Sequence, residues 1–335
     1  MPPMKRSGIR TVSPGTQMED CMARFTMVTI IGAGLMGHSL ALLFAKSGSR
    51  VHLVDRESGI LETARRKIEA GLSTLRSVEA IPLTDAEILA AITTSTDARE
   101  HAAESDLVLE AVSEKPAVKQ AVYESLLGCV GPKTIVSSNT SALDVFEFMP
   151  AALMPRAAMT HFFVPPHLVP LVEVVPSPNA EADVTETLRA GLSATGAKPV
   201  FMKKFAKGFI INRLQRAYNR EALLLVQEGF ADARTIDEAV KASLAIRFPV
   251  MGIMEKNDQA GLGLILNNID NGPLGLNNSE EAPSILRDMV AAGNTGFASG
   301  KGFYDYSGVD KEKLTRERDE KLLKVRKLLQ EMGEL

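Results

Sequence analysis

The sequence predicts an α/β protein: a Rossmann-type doubly wound sheet followed by an all-α C-terminal domain. Three observations carry this expectation. The apolar, β-branched run at 28–31 opens directly into Gly32, Gly34 and Gly37, in G-x-G-x-x-G spacing, ahead of a helical pattern and a second apolar strand ending in Asp55. Strand-like and helix-like stretches then alternate to about Lys203. From Gly208 onward no strand pattern persists.

The first unit has a physical reason at each position. Gly32 permits a tight strand-to-helix turn. Gly34 lets the backbone approach a pyrophosphate without a Cβ in the way, and Gly37 lets the helix pack close to the strand. Leu40, Leu43 and Phe44 recur at helical spacing, and Ser47-Gly48-Ser49 closes the helix. The free N–H groups at the helix start suit phosphate. Asp55 lies 21 positions after Gly34, where an acid accepts hydrogen bonds from a ribose hydroxyl. A carboxylate there repels a 2′-phosphate, so the expected cofactor is NAD; Arg56 alongside is the residue that could hold that phosphate instead.

Ile60, Leu61, Ala64, Ile68, Leu72 and Leu75 form the apolar face of a helix over about 57–76. Thr84-Asp85-Ala86-Glu87 reads as a capped helix start. Strands are expected at 92–94, 107–112, 134–138, 158–163, 171–175 and 200–203, with a helix over 114–127. In the C-terminal part, helices are expected at 209–230, 235–244, 250–266 and 279–292, then a Gly-rich loop at 297–306. A charged final helix carries a narrow apolar seam of Leu322, Val325, Leu329 and Met332. The domain reading is a disordered leader (1–24), an NAD-binding domain (25–204) and a helical substrate and dimerisation domain (205–335).

Composition narrows the function classes. Hydrophobic residues at 45% and charged residues at 24% of 335 are enough for a core without disulfides. Only Cys21 and Cys129 are present, which fits a reducing, cytoplasmic setting. A net charge of −3 gives no field to recruit nucleic acid, and no apolar run reaches the ~18 residues of a membrane span. The five histidines, His38, His52, His101, His161 and His167, make no H-E-x-x-H or other ligand spacing, so no metal is expected.

Ligands of doubly wound sheets bind beyond the C-terminal strand ends, and polar residues gather there. Glu110 follows the run 107–109, Ser138 to Ser141 follow 135–136, and His161 sits late in its strand. Glu173 stands inside an apolar run, a costly place for a carboxylate unless it is paired. His161 and Glu173 therefore suggest a general-base dyad; a core histidine is the alternative at this point.

On these residues the chain resembles the L-3-hydroxyacyl-CoA dehydrogenase family over about 27–306. The matching stretches are IGAGLMG at 31–37, LEAVSEK at 109–115, SSNTSAL at 137–143, HFFVPP at 161–166, PLVEVV at 170–175, GFIINRL at 208–214 and SGKGFYDY at 299–306. The resemblance implies that His161 is the base toward a 3-hydroxyl and that Glu173 orients it. Ser141 and Asn212 would bond the hydroxyl or the developing carbonyl. Hydride would pass to NAD held by the turn Gly32, Gly34, Leu35, Met36 and Gly37 with Asp55. Glu110, Lys115, Ser138 and Asn139 would line the cofactor cleft. It further implies a site between the domains and a homodimer through the helical one.

Departures from the family pattern bear on the substrate. Members that use CoA esters carry Ser and Lys on the helix after the second strand; counted from Asp55, Gly71 and Val78 stand there. Ser77-Val78-Glu79-Ala80 lacks positive charge, Val164 replaces an Asn, and Ala206-Lys207-Gly208 replaces Thr-Pro-Gly. Residues 165–170, Pro-Pro-His-Leu-Val-Pro, are similar to the branch of L-gulonate 3-dehydrogenase and L-carnitine dehydrogenase, which act on free hydroxy acids. A free acid needs a cation, for which Arg213, Arg216, Arg220 and Arg247 are candidates. The expected function is NAD-dependent oxidation of a 3-hydroxyacyl-CoA, as in fatty acid metabolism. The alternatives are a dehydrogenase of a small free hydroxy acid and a non-catalytic NAD-binding protein.

Overall fold

A computed structural model describes residues 24–335 except 273, 277, 278 and 280. The expected leader lies outside the described residues apart from Arg24. Residues 24–72 and 81–205 form one compact unit, and residues 73–80 with 206–335 form a second.

The first unit is built on eight strands: β1 (Met27–Ile31), β2 (Arg50–Val54), β3 (Ile92–Ser95), β4 (Leu107–Glu110), β5 (Ile135–Ser138), β6 (Ala157–Phe162), β7 (Leu171–Pro176) and β8 (Lys198–Phe201). They lie in the order β3-β2-β1-β4-β5-β6-β7-β8. The first six are parallel. Every residue of β1, β4, β5 and β6 is buried, as strands covered on both faces require. The helices are α1 (Gly37–Lys46), α2 (Ser58–Arg76), α3 (Asp85–Ala90), α4 (Pro116–Leu126) and α5 (Val184–Ser193). Thr84 and Glu87 form the reciprocal cap of α3.

β7 runs antiparallel to β6, and β8 parallel to β7. Eight residues join β6 to β7, too few for the crossover that a parallel neighbour needs. This reversal sets His161 directly opposite Glu173.

The second unit is helical: α6 (Ile211–Gln227), α7 (Ala233–Ala242), α8 (Leu244–Arg247), α9 (Ile253–Ala260), α10 (Leu262–Asn271), α11 (Ser284–Ala291) and α12 (Lys311–Glu331). One expectation is corrected here. The helix expected over 250–266 is split into α9 and α10 at Gly261, whose φ of 91° lies in the left-handed region. On α12 Leu323 is buried and the seam residue Leu329 half-buried, whereas Leu322, Val325 and Met332 are about half exposed in the single chain. Arg326, on the same side as Leu323, pairs with Glu79. Among the described residues no helix is long and apolar enough to cross a membrane.

Candidate active site

The glycine turn is built as its spacing requires. Gly32 has φ 103°, and a Cβ there would lie 2.7 Å from the Ala111 carbonyl oxygen. A Cβ on Gly37 would overlap the Gly32 carbonyl. Gly34 has open space around it. One side of the turn is thus closed by backbone, and the other can admit a ligand. Leu35 is largely exposed there, and Met36 precedes the first residue of α1.

Asp55 ties the turn to β2. Its Oδ2 accepts the Ala33 N–H at 2.9 Å and its Oδ1 the Glu57 N–H at 3.2 Å. A cleft of ≈ 670 Å³ is lined by Gly32, Gly34, Asp55, Arg56, Thr96, Val112 and Lys115 among others. An open Gly34, a helix N-terminus and a carboxylate on the next strand fit the pyrophosphate and ribose of NAD. The Arg56 guanidinium is 87% exposed and lies 3.5 Å from Glu57.

Glu110 and Ser138 are not on that lining. Both are fully buried, so the expectation that they face the cleft is corrected. The Glu110 carboxylate accepts from Lys119 Nζ at 2.9 and 3.1 Å, Tyr123 Oη at 2.8 Å, Ser138 Oγ at 2.6 Å and the Val112 N–H at 2.8 Å. Burial, then the Glu110 charge, pushes the Tyr123 phenol well above its ordinary value. Removing one partner of such a buried pair costs ~3–5 kcal/mol. Glu110 therefore braces the ends of β4 and β5. Asn139 is also a brace, since its Oδ1 accepts the Phe162 N–H at 3.0 Å.

Glu114 went unassigned in the sequence although it lies inside a matched stretch. Its Oε1 accepts from Thr140 Oγ1 at 2.7 Å, from the N–H groups of Ser141 and Ala142 at 2.7 and 2.9 Å, and from Ser141 Oγ at 3.3 Å. Its Oε2 lies 3.1 Å from Lys119 Nζ. The signal for it is the run of small polar residues at 138–141, whose N–H groups need an acceptor.

His161 and Glu173 meet across the β6–β7 ladder. His161 Nδ1 lies 2.8 Å from Glu173 Oε2. Glu173 is fully buried, and His161 keeps 5% of its surface exposed. An ionised carboxylate only accepts, so Nδ1 carries the proton and Nε2 is left with its lone pair. β1, β4, β5 and β6 are parallel, so His161 sits at the same edge of the sheet as the glycine turn.

The remaining candidates separate. His167 is buried, with Nδ1 2.5 Å from Ser39 Oγ. Burial, with the His38 and Lys46 charges, lowers its pKa to about 4. A Cβ on Gly71 would lie 3.0 Å from Leu42 and 3.5 Å from His167 Nε2. Asn212 stands in the first turn of α6, in the second unit. Arg213 donates to the Lys207 carbonyl and Arg247 to Ser243.

Glu114 gives a pH prediction. Burial opposes its ionisation, but Thr140, the Lys119 charge and the Ser141 and Ala142 amides outweigh that and hold it down at about 2 from 4.5. A lowered folded pKa adds stability that is present above the unfolded value and lost as pH falls from about 4.5 toward 2. Glu114→Gln should lose about 1 kcal/mol at pH 7, a value discounted for solvent screening. Denaturant melts should show this difference shrink between pH 4.5 and 2 and vanish below about pH 2.

Comparisons with known proteins agree with this architecture. The family model for the 3-hydroxyacyl-CoA dehydrogenase NAD-binding domain matches residues 27–205, and that for the C-terminal domain matches 208–306. The hydroxyacyl-coenzyme A dehydrogenase of Homo sapiens is 35% identical over 288 residues, covering 83% of this chain and 90% of that protein. The 5-formyl-3-hydroxy-2-methylpyridine 4-carboxylate 5-dehydrogenase of Mesorhizobium japonicum is 29% identical over 304 residues, covering 90% and 98%. A crystal structure of a dehydrogenase of that kind, described as an NAD+-dependent dismutase, superposes with a TM-score of 0.82 at 28% identity, covering 91% of this chain and 98% of its own. With both family domains matched in order, the chain belongs to the 3-hydroxyacyl-CoA dehydrogenase family of NAD-dependent dehydrogenases.

Proposed function

We propose that the protein oxidises the CH–OH group of a small free carboxylic acid, with His161 as general base. The hydrogen bond of 2.8 Å from His161 to Glu173 supports the base assignment. Nε2, the nitrogen facing away from Glu173, takes the hydroxyl proton. The carboxylate holds the ring orientation and stabilises the imidazolium that forms. Bound NAD would accept the hydride from the carbon that carries the hydroxyl. Ser141, whose backbone N–H is held by Glu114, turns its hydroxyl from the 3.3 Å contact with that carboxylate to donate to the substrate oxygen. Asp55 and the open backbone at Gly34 hold the dinucleotide.

The small-acid reading rests on α2. At Gly71, where CoA-using members place a serine, Leu42 and His167 already stand within 3.0 and 3.5 Å of any Cβ. Beyond it, Ser77, Val78 and Ala80 are uncharged, and Glu79 is paired with Arg326. A CoA phosphate finds no cation at positions 77–80, and Arg76 is the basic residue in the last turn of α2. The second reading, a 3-hydroxyacyl-CoA substrate, is favoured by the family to which the chain belongs.

We also propose that a second copy completes the helical unit. Among the described residues of that unit, Leu75, Phe209, Leu224 and Leu323 are its buried large apolar side chains. On α10, Leu262, Leu264, Leu266 and Ile269 are 54–71% exposed. Apolar surface on that scale marks a protein interface.

Three measurements test these readings. Initial rates with NAD should be measured on free hydroxy acids and on (S)-3-hydroxybutyryl-CoA. Turnover of free acids alone is expected; turnover of the CoA ester alone selects the second reading, and turnover of neither leaves a non-catalytic scaffold. His161→Ala should lower kcat by ~10²–10⁴ while NADH affinity stays within about twofold, if His161 is a general base. Retained turnover rules it out. Leu266→Asp should convert a dimer to a monomer in sedimentation velocity; a wild-type monomer sinks the dimer.

A further inference from the structure

One polar cluster lies outside the dyad and the glycine turn. His52 is in the middle of β2 and is 98% buried, with 2% of its surface exposed. Its Nδ1 lies 2.8 Å from Thr93 Oγ1, and that hydroxyl lies 3.4 Å from the Val51 carbonyl oxygen. Thr93 has one proton to give. A carbonyl can only accept, so the proton goes to Val51, and Thr93 Oγ1 accepts from His52 Nδ1–H. The imidazole proton is thereby fixed on Nδ1, and the Nε2 lone pair is left facing outward. That buried Nε2 has no hydrogen-bond partner among the described residues.

What it faces is electron-rich. Glu100 Oε2 is 4.0 Å from His52 Nε2, and Glu100 Oε1 is 4.0 Å from His101 Nε2. The two imidazoles meet edge to face, with centroids 4.3 Å apart. Glu104 lies 3.6 Å from His101 Nδ1. It favours the proton on that nitrogen, which leaves the lone pair on His101 Nε2. Burial holds the His52 imidazole below its ordinary value against the opposing pull of Glu100. A neutral imidazole is the ligand form.

We propose that His52 Nε2, Glu100 and His101 Nε2 bind a divalent ion of the zinc class. Two imidazoles and one carboxylate are the donor set that such ions take, with water completing the shell. The three ligand atoms lie within 4.8 Å of one another. Ligands at ~2.0–2.1 Å from a tetrahedral ion are about 3.4 Å apart, so the cluster closes from 4.8 Å to about 3.4 Å at its widest. The closing falls to Glu100 and His101, whose side chains are 52% and 38% exposed; Glu100 Oε2 also accepts from Ser95 Oγ, which holds that carboxylate beside His52. Residue spacing gives no hint of this site, because β2 and the segment after β3 meet only in the folded sheet.

The test is calorimetric titration of tag-free, chelator-stripped protein with Zn²⁺ alone at pH 7.5. One equivalent should bind saturably. His101→Ala and Glu100→Gln change exposed side chains, so each should melt as the wild type does in EDTA. Each should weaken Zn²⁺ binding at least about tenfold, the scale of losing one ligand or its support. Absence of saturable binding overturns the proposal. So does binding that both variants leave unchanged, which would put the ion elsewhere.

Discussion

A carboxylate inside a sheet is tolerable only with partners, since an unpaired buried charge costs several kcal/mol. This constraint organises the catalytic edge of the protein. Glu173 is satisfied by His161, Glu110 by Lys119, Tyr123 and Ser138, and Glu114 by the Thr140 to Ala142 loop. Each acid fixes one neighbour of the site: the imidazole, the strand ends, and the loop carrying Ser141. Because buried networks are stiff, the groups proposed for chemistry need little reorganisation when substrate arrives.

The nucleotide half follows a different logic. Its specificity is written in backbone rather than side chains. Three glycines do three distinct jobs: a left-handed turn at Gly32, open approach at Gly34 and close helix packing at Gly37. Asp55 contributes twice. It clips the turn through the Ala33 amide, and it offers a carboxylate at the ribose position.

Legibility in the sequence tracked how local each signal is. The glycine turn and Asp55 lie within one short β-α-β unit, so spacing alone exposed them. The dyad was legible because Glu173 contradicts its apolar surroundings, and a contradiction asks for a partner. Glu110 was misplaced because a carboxylate at a strand end reads the same whether it faces ligand or core. Lys119 and Tyr123 decide between the two, and both come from the following helix. Glu114 and the His52 cluster depend on contacts between separate segments, which spacing does not encode. On α12 the Arg326–Glu79 pair joins Leu323 on the inward face, a contact between separate segments that spacing does not encode.

In the proposed reaction the dyad and the glycine turn handle the bond that breaks, so discrimination falls to other surfaces, and the small-acid proposal places it on α2. Gly71 is tolerated because His167 leans over it, and His167 can lean there because Ser39 takes its Nδ1. Burial keeps that imidazole neutral, so it adds no cation for a phosphate. Ser39, Gly71 and His167 thus pack as one unit, and the small-acid proposal rests on that packing rather than on any group that would handle the proton.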